Sequence, residues 1–277
     1  MIAVCLKWTP SRLDGGPVGP DPGDDRFAGV SPADRAALEL ALRLAAVTGT
    51  EVVAVAAGPV GAERTLRDAL AAGATRAVRL DMPTDSDSRD VAFELAQVLG
   101  DATVVLCGDY SLDRGSGSVP AFVAHHLAAA QALGLVAIDV DATGATSGSD
   151  SPRVHVVRLL DGGRRELLAV PMPCVLSVEG SVATLRRAPL PRVLAARSAR
   201  VEVVATPPAH HHGAPAIVTS YRPRARVMPA PMGGALDRVR SLTDAGTAST
   251  RGETIEVPPR EAAARILAAL REWGHLG

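Results

Sequence analysis

Short valine- and alanine-rich runs alternate with helical patterns from the first residues onward, and this alternation constrains the fold more than any other feature of the chain. Residues 2–7, IAVCLK, read as a strand, 33–48 as a helix, 51–57 as a second strand, 61–72 as a helix and 77–80 as a third strand. A helix over 89–99 then leads to ATVVLC at 102–107, whose unbroken apolar character suits a strand covered on both faces. A further helix begins near Val119. Parallel neighbours require crossovers, and crossovers are right-handed, so the helices cover both faces of the sheet. The predicted fold class is therefore α/β, a doubly wound, mostly parallel sheet.

The pattern changes after a small, polar loop at 141–152. Residues 153–160 and 164–170 are apolar runs separated by Asp161-Gly162-Gly163, a hairpin turn, and 174–178 add another strand. Antiparallel strands of this kind form the edge of a parallel core. Pro171 and Pro173 keep the last two strands from forming one ladder. Beyond residue 198 periodicity fades: His210-His211-His212 lies in a proline-rich linker, and 221–231 is extended and rich in arginine and proline. A helix returns at 259–273, with Ile266, Leu267, Leu270 and Trp273 on one face and Gly274 as its stop. The expected division is a nucleotide-binding α/β domain over 1–195 and an extended C-terminal arm over 196–277. The apolar stripe of the arm needs a partner subunit or the core to cover it.

Ligands of such sheets bind beyond the carboxyl ends of the strands, here Lys7, Ala57 and Gly108. After Gly108 comes a turn holding Ser111, Asp113, Gly115, Ser116, Gly117 and Ser118, directly before the helix at Val119. The unpaired N–H groups of that helix point back at the turn and suit an anion, and Asp113 can orient the turn or accept from a sugar hydroxyl. An ordinary surface loop accounts for these residues equally well. Ser31-Pro32-Ala33-Asp34 is a helix start with a Ser cap, Pro at the first position and an acid three residues after the cap. That chemistry explains itself without a ligand, and it also places a second helix N-terminus at the same rim. Asp113, Lys7 and Asp34 are the ionisable residues gathered there. No G-x-S-x-G elbow, Walker A sequence, HExxH helix or protease-type cysteine signature occurs, so the site reads as one that holds a ligand rather than transforms it.

Composition narrows the partners. With 29 basic and 30 acidic residues the chain lacks the basic excess of a nucleic-acid surface, and 3% aromatics leave no stacking platform. No apolar run approaches the ~20 residues that cross a bilayer, and no leader pattern precedes the first strand, which points to the cytoplasm. Cys5, Cys107 and Cys174 sit in apolar strand patterns without CxxC spacing, and read as small buried side chains rather than metal ligands.

The ordered segments IAVCLKWTP, SPADRAALELALRL, VVAVAAGP, LRDALAAGATRAVRL and GDYSLDRGSGSVP resemble the beta subunit of electron transfer flavoproteins over nearly the whole length. VVRLLDGGRRELLAVPMPCVLS, residues 156–177, matches the family's signature spacing through Glu166, Leu168 and Pro173. The departures resemble a divergent bacterial branch, such as the version that accompanies mycofactocin systems. The resemblance implies a Rossmann-like, adenine nucleotide alpha hydrolase-like fold. It implies that Cys5, Ser31, Pro32, Ala33, Asp34, Ala57 and residues 108–119 surround an adenine nucleotide. That nucleotide is AMP in many members and a second FAD in electron-bifurcating ones. The Gln and Gly of the bifurcating loop are missing from 115–121, which favours AMP.

The resemblance further implies a heterodimer with an alpha subunit that bears the redox FAD, transient docking on flavin dehydrogenases, and electron delivery towards the respiratory chain. Positions that carry aromatics near the flavin in certain relatives hold Arg12 and Ala33 here, with Trp8 as a substitute. Residues 186–194 resemble the dehydrogenase-docking loop, with Arg186 in it and Leu190 at the anchoring position, although Leu185-Arg186-Arg187 replaces the usual Pro-Arg-Tyr. The competing reading is a stand-alone adenine-nucleotide-binding regulatory module similar to universal stress proteins, which has no use for the arm. A nucleotidyl-transferring enzyme ranks last, for want of an HxGH-like motif.

Overall fold

A computed structural model describes residues 1–10, 28–140, 152–207, 232–242 and 256–274. The chain divides into two compact units, Met1–Pro215 and Ala216–Gly277. The first begins with β1 (Ile2–Cys5), the short antiparallel pair β2 (Thr9–Pro10) and β3 (Ala28–Gly29), and α1 (Pro32–Thr48). Then follow β4 (Val52–Gly58), α2 (Ala62–Ala72), β5 (Arg76–Asp81), α3 (Ser88–Leu99), β6 (Val104–Gly108) and α4 (Val119–His126). Strands β7 (Ala130–Asp139), β8 (Arg153–Leu159), β9 (Arg165–Pro171) and β10 (Cys174–Val178) come next, then α5 (Leu190–Arg197) and β11 (Glu202–Ala205).

The main sheet runs β11-β5-β4-β1-β6-β10-β7-β8-β9. Every pairing from β11 to β7 is parallel, and β7-β8-β9 is antiparallel, so the doubly wound sheet with an antiparallel edge is present as expected. Alternation along each strand sends side chains to two cores. Ile2, Val4, Ala54, Val104 and Leu106 meet α1 and α2 on one face. Ala3, Val53, Val55, Val105 and Cys107 meet α3 and α4 on the other. Leu66 and Leu99, wholly buried on opposite faces, each contribute roughly 1.5–3 kcal/mol by leaving water.

Two features depart from the sequence reading. Residues 130–139, an alanine-rich stretch without strand alternation, form β7: after α4 the chain reverses at Ala128 (φ 49°) and pairs with β10. Tertiary pairing here overrides local propensity. Strand β10 does not continue the antiparallel edge. It inserts between β6 and β7 as a wholly buried central strand. At the opposite edge β11 lies parallel to β5, so the sheet takes in residues beyond 195.

The described parts of the second unit are α6 (Ala235–Leu242) and α7 (Pro259–Glu272), the latter with Ile266, Leu267 and the following Trp273 exposed. Arg12, the 210–212 histidines and residues 221–231 lie outside the described residues. Among the described residues no helix is long and apolar enough to cross a membrane.

Candidate functional site

The carboxyl ends of β1, β4 and β6 open onto one cavity, as the strand-end rule requires. Cys5, Lys7 and Trp8 line it from β1 and its extension, Ala57 and Gly58 from β4, and Cys107 and Gly108 from β6. The 109–118 loop supplies Ser111, Asp113, Ser116, Gly117 and Ser118, and α4 begins at its wall with Val119. Ser31, Pro32, Ala33 and Gly115 are not part of the lining; of the α1 start only Asp34 reaches it.

That start is closed on itself. Ser31 Oγ accepts from Asp34 N–H at 2.9 Å, and an Asp34 carboxylate oxygen accepts from Lys7 N–H at 3.3 Å. Burial pushes Asp34 up to about 6, against hydrogen bonds from the backbone of Lys7, Ser31 and Gly108 and from the Ser31 hydroxyl. Asp34 thus accepts the donors at this helix end, while burial works against its charged form. Gly108 is required beside it, since a Cβ there would stand 2.6 Å from Asp34 Oδ1 and 3.0 Å from the Ala33 Cβ.

The α4 start is open. Ser118 makes no side-chain cap, Pro120 has no N–H, and Gly117, Ser118 and Val119 face the cavity. Gly117 takes φ +53°, and a Cβ on it would lie 1.9 Å from the Asp109 carbonyl oxygen, so the tight turn that aims these groups accepts no side chain. The loop is fastened on both sides. Lys7 Nζ donates to Asp113 Oδ1 and Oδ2 at 2.6 and 2.8 Å, and Arg114 Nη1 donates to Ser86 O at 2.9 Å. Burial would raise the Asp113 carboxyl, but the hydrogen bond and charge of Lys7 hold it below its usual range.

The far wall was not anticipated. Pro83, Thr84 and Ser86, after β5, and Val91 and Leu95 of α3 complete the lining. The strand-end rule applied to Leu80 as well as to Lys7, Ala57 and Gly108 would have found them. Trp8 is buried, and its Nε1 has no hydrogen-bond partner, an orphaned donor beside the cavity. Ala33 is wholly buried. A cavity with an uncapped helix N-terminus, a lysine and an apolar far wall fits a ligand with a planar apolar ring and an anionic group.

Of the two residues expected to dock a partner, Leu190 is the first residue of α5 and 68% exposed. Arg186 is bound within the chain, to Glu39 of α1. Among the described residues no group of His, Cys, Asp and Glu side chains is arranged to hold a metal.

Fold and cavity together define a doubly wound α/β protein whose candidate site is the cavity at the carboxyl rim of the sheet. Residues 25–209 match the model of the electron transfer flavoprotein domain, and the chain belongs to that family. It is 34% identical over 188 residues to "Protein FixA" of Rhizobium meliloti, which covers 63% of this chain and 60% of that protein. It is 29% identical over 160 residues to the human electron transfer flavoprotein subunit beta, covering 56% of this chain and 59% of the relative. The subunit beta of Syntrophomonas wolfei is also 29% identical, over 179 residues, with 64% and 67% covered. The match thus spans about three-fifths of the FixA and human proteins.

Proposed function

We propose that the chain is the beta-type subunit of an electron transfer flavoprotein and an electron carrier rather than an enzyme. It holds AMP in the rim cavity and associates through the part of its C-terminal arm that follows β11 with an FAD-bearing alpha subunit. The pair carries electrons in the cytoplasm from flavin dehydrogenases towards the respiratory chain. The observation that carries this reading is the open N-terminus of α4 at the cavity, in a chain that belongs to the family.

The backbone of Gly117, Ser118 and Val119 would hold the phosphate with Lys7 as countercharge, and Val55, Val91 and Leu95 offer an apolar wall for the adenine. Asp34 stays on α1, where it keeps β1 and the helix start together. The redox chemistry belongs to the FAD of the partner. Leu190, exposed at the start of α5, is the anchor for transient docking of a dehydrogenase.

The test is co-expression with an alpha-type subunit, followed by denaturation of the purified protein and identification of what it releases. A yellow 1:1 complex releasing one AMP for each FAD is the expected result. Two FAD and no AMP would reassign the cavity to FAD, and a colourless, stable monomer without nucleotide would overturn the reading.

A further inference from the structure

Two of the three cysteines come together in this fold, and the third stands apart. Strands β1 and β6 are adjacent, parallel and in register through Val4 and Leu106, so the next residues along, Cys5 and Cys107, are neighbours across the pair. Both belong to the face that packs on α3 and α4, and both line the rim cavity. Parallel neighbours lie about 4.8 Å apart, inside the ~4.4–6.8 Å Cα separation that a disulfide spans. Hydrogen bonding to Cys5, and then burial, pushes the Cys107 thiol well above its ordinary value. Cys107 is buried whereas Cys5 is half-exposed, so Cys5 is the sulfur that a small molecule in the cavity reaches first. Cys174 lies in the opposite core, where burial pushes its thiol up to about 12.

We propose that Cys5 and Cys107 form a thiol-oxidation site in the floor of the cavity, converted by hydrogen peroxide to a Cys5–Cys107 disulfide and shielded when the cavity is filled. In the first step the Cys5 sulfur attacks peroxide: an S–O bond forms, the O–O bond breaks, and water leaves with the thiol proton. In the second the Cys107 sulfur attacks the sulfenic sulfur: the S–S bond forms, the S–O bond breaks, and the hydroxide leaves as water with the Cys107 proton. Two thiols are oxidised, and one peroxide is reduced to two waters. The bond would tie β1 to β6 at the rim, beneath Lys7 and Gly108, and change the floor on which a ligand rests. The shielding clause rests on the nucleotide reading; the disulfide does not.

The experiment is peroxide treatment of the full chain, alkylation of remaining thiols, digestion and mass spectrometry, with and without added AMP. AMP binding is followed separately by equilibrium dialysis. The expected product is one peptide pair linked through Cys5 and Cys107 with two hydrogens lost, Cys174 staying reduced. Bound AMP is expected to slow its formation at least tenfold. In Cys5→Ser, checked for folding by its thermal transition, Cys107 should remain a thiol. Oxidation of Cys5 to a sulfinic acid with Cys107 still free, or linkage to Cys174 instead, would overturn the site. Linkage at the same rate with AMP measurably bound removes the shielding, whereas linkage in a protein that binds no AMP leaves the site standing and refutes the nucleotide reading.

Discussion

Arg186 closes on the Glu39 carboxylate with its backbone N–H at 3.1 Å, Nε at 2.9 Å and Nη2 at 3.1 Å, while Arg43 Nε reaches the same group from the next turn of α1 at 2.8 Å. Glu39 is buried and mid-helix, a position that an unpaired carboxylate would not tolerate. Burial alone would raise it, but the hydrogen bonds of Arg186 and then Arg43 outweigh burial and bring it down to about 2. The contact fixes the segment after β10 across α1, immediately ahead of the exposed Leu190.

Replacing Glu39 by Gln should therefore cost about 2–3 kcal/mol near neutral pH, the range for breaking a buried pair, reduced because the Arg186 head is partly solvated. A carboxyl depressed on folding stabilises fully above its unfolded value of 4.5, and that stabilisation is lost as pH falls towards about 2. Denaturant titrations at pH 7 and pH 3 should show the gap between wild type and Glu39→Gln narrowing in acid. An equal gap at both would show that the charge is not the source of the stability.

Asp34 should act with the opposite sign. Its folded value is raised from 3.8 to about 6, so its contribution is whole below the unfolded value and is lost as pH rises through about 6. The loss is on the order of 2–3 kcal/mol. Asp34→Asn cannot ionise, and should flatten the decline in stability that wild type shows between these values. Unfolding free energies measured at half-unit pH steps would check it, and parallel curves would disprove it.

Gly117→Ala should leave the sheet intact but displace the 109–118 turn, because its Cβ would collide with the Asp109 carbonyl at a backbone angle that only glycine favours. Nucleotide released from the purified variant should fall at least tenfold, with little change in the midpoint of thermal unfolding. Full occupancy in the variant would place the phosphate elsewhere.

Leu190→Ala and Arg186→Ala separate docking from support. Leu190 is exposed, so its removal should change stability by no more than about 0.5 kcal/mol while slowing reduction by a flavin dehydrogenase in stopped-flow assays. Arg186→Ala should slow the same step and also destabilise the chain, since Glu39 then lies buried without its main partner. Unchanged reduction rates in Leu190→Ala would remove the docking role.

Much of this arrangement was legible beforehand. The alternation Val52-Val53-Ala54-Val55, with odd and even residues entering different cores, is a strand pattern that needs no partner to be recognised. Ser31, Pro32 and Asp34 describe their own helix start, and Asp161-Gly162-Gly163 its own turn between β8 and β9. Strand β7 was not legible: its alanines favour a helix, and only the free edge of β10 makes a strand of them. The far wall of the cavity was missed because Pro83, Thr84 and Ser86 carry no motif, and reach the site only through the place of β5 in the sheet.

Period, caps and turns act over a few neighbouring residues, so composition and spacing indicate where most helices and strands lie and at which rim of the sheet a cavity opens. The long-range pairings follow a different rule. Glu39 and Arg186 are 147 residues apart and Lys7 and Asp113 are 106 apart, and Cys5 meets Cys107 only because β1 was placed beside β6. Which distant groups meet depends on strand order and on how two cores close over one sheet. That is a property of the whole folded chain, to which each local segment contributes only a small part.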